Sequence, residues 1–521
     1  LSFSLQTLTA APVLLDSPLT PQQVWQVAQG ASLHISPAAR ARVGAAHALV
    51  AQVVASGDRV YGVSTGVGML SDMAVSPHLQ QQLSRNLVFS HAVGVGEALS
   101  EVEVRAIMVC AIGNHCHGYS GIRWEVVQGM LALLEANILP VVPRQGSVGY
   151  VSHMAHVALV LIGHGWASMQ GRRVSGAQAL AAAGLTPLEL QAKEGLSLIS
   201  GAPCAAGLAC VAVGQARELL EWSHATAALS FEALGGQVSG FDAAALALRP
   251  SPGLAQVGRI LSHWLEDSPS LAEVAGCRTQ DAPSLRAIPQ VHGAVVDVLA
   301  HVEAVVQQEL ASATDNPLLV EQDGQPHVLA VAHGVASGLG LAMDYLATAV
   351  AQLGGMSERR LDRMLNPLVS GLPPFLADQG GVSSGFMIAQ YTALSLCNEN
   401  RRLAAPAALD GGITSGLQED MLCHATPAAL KCVHIVANTC RIIGTEMLAA
   451  LQVSEYATHA GAPRTTALRQ ALRRQFAPFH DERPLGEDLE AMALHMALPL
   501  ERYWQQAQSA REDAPAALAA R

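Results

Sequence analysis

Apolar residues recur along this chain at helical spacing, in segments punctuated by capping residues and glycines. Thr20-Pro21 sets a cap and a first-turn proline before a helix ending near Gly30, and Ser36-Pro37 repeats the device for one running to about Gly57. Tyr61-Gly62-Val63-Ser64-Thr65-Gly66-Val67-Gly68 breaks the pattern as a tightly folded loop. Helical spacing resumes over Leu79 to Leu87 and stops at Gly94-Val95-Gly96. From about Val102 to Leu139 two helical segments flank Gly118-Tyr119-Ser120-Gly121, and Pro140 and Pro143 then enforce an extended approach to the next turn.

That turn, Arg144-Gln145-Gly146-Ser147-Val148-Gly149-Tyr150, opens into an apolar run that continues to Gly165. A glycine-rich turn feeding a helix lets backbone approach a ligand and aims unpaired N–H groups at it. A short strand pair is expected around Gly171 to Val174, and a capped helix from Thr186-Pro187 onward. Beyond residue 200, long Ala/Leu/Val-rich segments carry few charges on any face, the pattern of helices in the middle of a bundle. Ser370 to Gly385 interrupts them, and a more charged tail follows about Asp481. The expected division is 1–200 as a mixed N-terminal domain, 201–480 as a central helical bundle, and 481–521 as a helical cover and tail.

Composition narrows the function. Half of the 521 residues are apolar and only 14% are charged, so much helix surface is buried, in a thick core or against other subunits. A net charge of −12 with no Lys/Arg cluster argues against nucleic acid. No run of about 18 uncharged apolar residues is expected, and hence no membrane span. Nine cysteines without a Cys-x-x-Cys pair read as reduced thiols of a cytoplasmic protein. His115-Cys116-His117, with His153, His156 and His164, matches no standard zinc spacing, and no metal is expected.

Gly146-Ser147-Val148-Gly149, then Ala155-His156 and Ala158-Leu159-Val160-Leu161, resemble the core signature of the histidine and aromatic amino acid ammonia-lyases. The resemblance covers roughly residues 15–500. It implies a mainly α fold, with a central bundle of long helices and a smaller mixed N-terminal domain, in a homotetramer whose active sites draw loops from several subunits. In that family Gly-Ser-Val-Gly is followed by Ala-Ser-Gly, which cyclises into an electrophilic methylidene-imidazolone, and then by Asp-Leu-Ala. Here Gly149 runs directly into Tyr150-Val151-Ser152, so the cofactor turn is altered and three residues short.

Other motifs follow the family. The resemblance makes Tyr61 the base that removes a substrate β-proton. His91, in Asn86-Leu87-Val88-Phe89-Ser90-His91, is in the segment whose Ser-His marks histidine users. Gln280 and Arg286, in Gln280-Asp281-Ala282-Pro283-Ser284-Leu285-Arg286, bind substrate, the arginine as a bidentate fork on its carboxylate. Glu419, in Gln418-Glu419-Asp420, faces the imidazole end of the substrate. Other positions depart from the family: Ser200 replaces a substrate-binding asparagine, His333-Gly334 replaces Asn-Phe, and Pro283 replaces a tyrosine.

The residues that hold an imidazole amino acid are kept, whereas those that build or serve the electrophile are lost. A trimethylammonium leaves as neutral trimethylamine and needs no electrophile. The sequence therefore points first to a carbon–nitrogen lyase without a cofactor, of the ergothionase type, releasing trimethylamine from ergothioneine or a related histidine betaine. The alternative is a methylidene-imidazolone-dependent histidine ammonia-lyase, or an aminomutase, whose cyclised triad is not written as standard residues. A third is a non-catalytic protein that binds an imidazole ligand.

Overall fold

A computed structural model of the chain describes residues 11–409 and 411–501. Among these the chain is predominantly helical, with long helices at Pro203–Ala233, Ile288–Leu310, Ser337–Leu365, Met387–Leu403 and Ala425–Val453. Strands are short and gathered toward the N-terminal part, where Ile138–Pro140, Trp166–Met169 and Arg172–Ser175 make an antiparallel three-stranded sheet.

Packing groups the chain differently from three consecutive segments. One compact unit comprises Leu1–Gly214, Val302–Asp344 and Pro406–Leu430, and the other Gln215–His301, Tyr345–Ala405 and Lys431–Arg521. The chain thus contributes three separate segments to each unit. Part of the expected C-terminal cover, residues 502–521, lies outside the described residues.

In the first unit, the cap signals act as their chemistry requires. Thr20 closes a capping box over Pro21–Ala28, Ser36 caps Pro37–Ser56, and Gly57 ends that helix in the left-handed conformation. Helix Glu101–Cys116 is buried on nearly every face. Its Glu103 serves twice, closing the Ser100 capping box and accepting both terminal nitrogens of Arg144 at 3.0 and 2.8 Å. That bidentate pair ties the helix to strand Pro143–Gln145, from which the Gly146 turn departs.

Two expectations are corrected. No helix starts at Thr186-Pro187: the backbone there is irregular, because the Leu188 amide is spent on Leu161 O and only Glu194–Ile199 is helical. An apolar segment long enough to cross a membrane does exist, Glu194–Ala233, but 94% of its most apolar window is buried within the protein, which makes it core.

In the second unit, Arg360 and Glu446 form an ion pair with no exposed side-chain surface, and Ser230 donates to the same carboxylate at 2.6 Å. Beside them the rings of His224 and His292 stack, their Nδ1 atoms 3.1 Å apart.

Burial brings His115 and His224 down to about 4, so both are neutral when folded, whereas an unfolded chain protonates its histidines near pH 6.5. Their contribution to stability is complete above that pH and is lost as pH falls from about 6.5 toward 4. Glu309, raised by burial to about 7, acts in the opposite sense, favouring the fold as pH falls from 7 toward 4.5. The thermal midpoint is expected to decline over the histidine window and to decline more steeply in Glu309→Gln; equal slopes in the two proteins would refute this assignment.

Candidate active site

The Tyr61 loop is folded by its own polar groups. Ser64 Oγ accepts from Val60 N at 2.9 Å and donates to Asp58 O, while Thr65 Oγ1 accepts from Gly62 N at 3.2 Å. Gly62 has φ +63°, and a Cβ there would lie 2.1 Å from Leu196 Cδ2. The loop therefore packs on helix Glu194–Ile199. The same helix approaches Gln80–His91 through Gly195, where a Cβ would sit 2.0 Å from Ser84 O. One short helix thus positions both the Tyr61 loop and the helix that ends in His91.

His91 Nδ1 lies 2.8 Å from the Leu87 carbonyl, which can only accept, so Nδ1 carries the proton and Nε2 presents a lone pair. Burial holds this imidazole below its ordinary pKa, and therefore neutral near pH 7. Past it, Gly94 N donates to His156 Nε2 at 3.1 Å, and a Cβ on Gly146 would be 3.1 Å from Gly94 Cα. The His91 segment and the glycine-rich turn are therefore in contact.

The turn is pinned from both sides. Ser147 Oγ donates to Tyr150 O and accepts from Gly149 N, His424 N donates to Val148 O at 2.8 Å, and Thr426 Oγ1 donates to Gly149 O. Gly149, at φ +129°, is pressed against Cys423, whose sulfur would be 2.3 Å from a Cβ at that position. Val151 and Ser152 follow at φ +55° and +59°, a conformation that disfavours side chains, and His153 N closes back onto Val151 O. Three left-handed residues in four mark a strained backbone at the place where the family pattern is three residues longer.

Glu419 closes a short hairpin by exchanging backbone hydrogen bonds with Thr414, and its 3-10 turn Ser415–Leu417 packs on Gly68–Leu70 at the end of the Tyr61 loop. The Tyr150 phenol donates to Glu419 Oε2 at 2.6 Å. Burial, then the charge of Glu419, raise the Tyr61 phenol, while the N–H of Gly68 pulls it down. Tyr61, Tyr150, Glu419 and the Gly149 turn are thus brought together in the first unit.

Ser200 ends helix Glu194–Ile199 and accepts from Asn316 N at 3.2 Å, and Gly334 lies against Gly201 and Thr314. Behind them lies a buried ion pair that sequence alone did not reveal. Lys193 Nζ meets Asp315 Oδ2 at 3.0 Å, with 0% and 2% of the side chains exposed. Gln280 and Arg286 lie on the second unit and are exposed; Arg286 Nε donates to Asp281 O, beside Pro283 at the first turn of its helix. Four of the five histidines considered for a metal each have a separate hydrogen-bond partner: Ser120 for His115, Leu310 O for His117, Arg144 O for His153 and Gly94 N for His156; the ring of His164 packs edge-on against Phe89.

Long buried helices carrying a small mixed region, with a Gly-Ser-Val-Gly turn beside a tyrosine loop, define the ammonia-lyase class of carbon–nitrogen lyases. The family model for aromatic amino acid lyases matches residues 19–474, and the chain belongs to that family. It is 41% identical over 486 residues to a histidine ammonia-lyase of Symbiobacterium thermophilum, covering 92% of this chain and 96% of that protein. The crystal structure of histidine ammonia-lyase from Trypanosoma cruzi superposes with a TM-score of 0.88 at 33% identity, over 96% of this chain and 95% of the other. Ergothionase from Treponema denticola superposes with a TM-score of 0.86 at 26% identity, over 93% of this chain and 98% of the other.

These comparisons correct the first reading of the sequence. The chain stands nearer to histidine ammonia-lyases than to ergothionase, so trimethylamine elimination from ergothioneine gives way to the alternative. The expectation of no cofactor is overturned with it, since that alternative includes the methylidene-imidazolone. The Gly146–Tyr150 turn does not itself fit the group. Gly149 is bonded to Tyr150, and Ala-Ser-Gly occurs only outside the turn, at Ala55-Ser56-Gly57 and Ala336-Ser337-Gly338.

Replacing Lys193 by Met would leave Asp315 buried without a counter-ion, at a cost of about 3–5 kcal/mol. The expected result is a large drop in thermal midpoint, measurable by calorimetry, of which Asp315→Asn in the same chain recovers part.

Proposed function

We propose that this protein is a histidine ammonia-lyase, taking histidine to urocanate and ammonia. The observation that carries the reading is the Glu419 carboxylate, bonded to Tyr150 and close enough to Tyr61 for its charge to raise that phenol. A site of that sign suits a substrate bearing an ammonium group and an imidazole N–H. Glu419 accepts from the imidazole, and the His91 Nε2 lone pair offers a second acceptor. Tyr61 takes the β-proton, whose electron pair becomes the Cα–Cβ double bond as the Cα–N bond breaks. Ser200 and Gly334 are assigned the wall of the pocket, and in the tetramer proposed below Arg286 as carboxylate fork, with Gln280 as a substrate contact, is supplied by another subunit.

A base held above its ordinary pKa works better as pH rises. Near-neutral kcat/KM for histidine is therefore expected to climb toward alkaline pH, and Glu419→Gln, by removing a charge that raises Tyr61, to move that climb to lower pH. Tyr61→Phe should lower kcat by about 10²–10⁴-fold. Urocanate release unchanged in Tyr61→Phe would remove the base from this account, and failure of the wild type to release ammonia from histidine would remove the reading itself.

The proposal extends to a cytoplasmic homotetramer. Helix Met387–Leu403 exposes Ile388, Tyr391 and Leu394 at helical spacing, an apolar stripe of the kind subunits cover, and the cysteines among the described residues are free thiols. Light scattering is expected to return four times the 54.3 kDa chain mass, and Tyr391→Glu to lower it.

A further inference from the structure

We propose that Tyr150 is a positioning residue, whose phenol, carried on the shortened turn, holds the Glu419 carboxylate in the orientation that receives an imidazole. This rests on the reading of Glu419 as the imidazole-facing group.

Glu419 has little else to steady it. Its neighbours Ser415 to Gln418 and Asp420 are exposed, and the contacts of its own hairpin are backbone hydrogen bonds to Thr414 that leave the side chain free to rotate. The hydrogen bond from Tyr150 is a short O–H···O⁻ contact to Oε2, of the charge-assisted kind, and it leaves Oε1 as the acceptor for a ligand.

The other end of Tyr150 is rigid. Its carbonyl is held by Ser147 Oγ, its preceding residue is wedged against Cys423, and the two residues after it are locked in the left-handed region. The phenol is therefore aimed by backbone that has few alternatives. Charge supports the same direction of donation: burial, then the hydrogen bond to Glu419 and its charge, hold the Tyr150 phenol far above its ordinary pKa, so that it keeps its proton and donates.

A double-mutant cycle tests the coupling. Binding of free imidazole and of histidine is measured by calorimetry, and histidine turnover by ammonia release, in the full chain and in Tyr150→Phe, Glu419→Gln and the double variant. Tyr150→Phe is expected to weaken imidazole binding and raise KM for histidine about tenfold, the loss expected for a hydrogen bond to a charged group, with kcat changed less than threefold. In the Glu419→Gln background the same substitution should do nothing further. A purely structural role would instead lower the thermal midpoint and kcat together and persist in that background.

An absorbance titration reads the pair without any ligand: Glu419→Gln should bring a phenol titration down in pH, and the double variant should lack it. Equal affinities in wild type and Tyr150→Phe, additive losses in the cycle, or a phenol titration indifferent to Glu419→Gln would each overturn the proposal. Imidazole binding that depends on Tyr150 in a chain that does not turn over histidine would keep the positioning role and remove only the histidine ammonia-lyase reading.

Discussion

An ammonium group with no contact to water is tolerated only where its charge is met, and in the first unit that place is Lys193 against Asp315. The pair joins the segment that ends in Ser200 to the one that carries Asn316 and leads to Gly334. Ser197 extends the join, accepting from Lys193 Nζ and donating to Ser120 O, so three stretches of chain distant in sequence meet at one charge. Helix Glu194–Ile199 starts from it, and against that helix rest both the Tyr61 loop and the helix of His91.

The turn that departs from the family pattern is the second determinant. Shortening a loop between fixed ends forces the remaining residues into less favourable backbone conformations, and Gly149, Val151 and Ser152 show it. The strain is offset by the hydrogen bonds that pin the turn to Ser147 and to the start of helix Ala425–Val453. What the turn presents is a phenol directed at Glu419.

Much of this was legible in the sequence. Caps at Thr20 and Ser36, the stop at Gly57, and the apolar segments after residue 200 obey local rules that act over a few residues. Tyr61, His91 and Glu419 were singled out because their motifs are local as well. The Tyr150–Glu419 contact was not, because nothing near either residue in sequence points to the other. The two packed units escaped notice for the same reason, since a chain that leaves and re-enters a core carries no composition shift at the crossing. Thr186-Pro187 misled because a cap needs a free amide downstream, and Leu188 had committed its own to Leu161. The substrate reading failed differently: each lost family residue pointed away from histidine, whereas identity over the whole chain points toward it.

The contact between Gly149 and Cys423 has a consequence for how such a site can change over time. Glycine is needed at 149 for its backbone angle and because a bulkier neighbour already fills the adjacent space. Any lineage that enlarged residue 149 first would pass through an overpacked intermediate, whereas one that trimmed Cys423 first would pass through a small void beneath the turn. The order of substitution therefore matters, and the two positions form an epistatic pair. Libraries that vary the turn alone explore only the side of that pair already closed by sulfur.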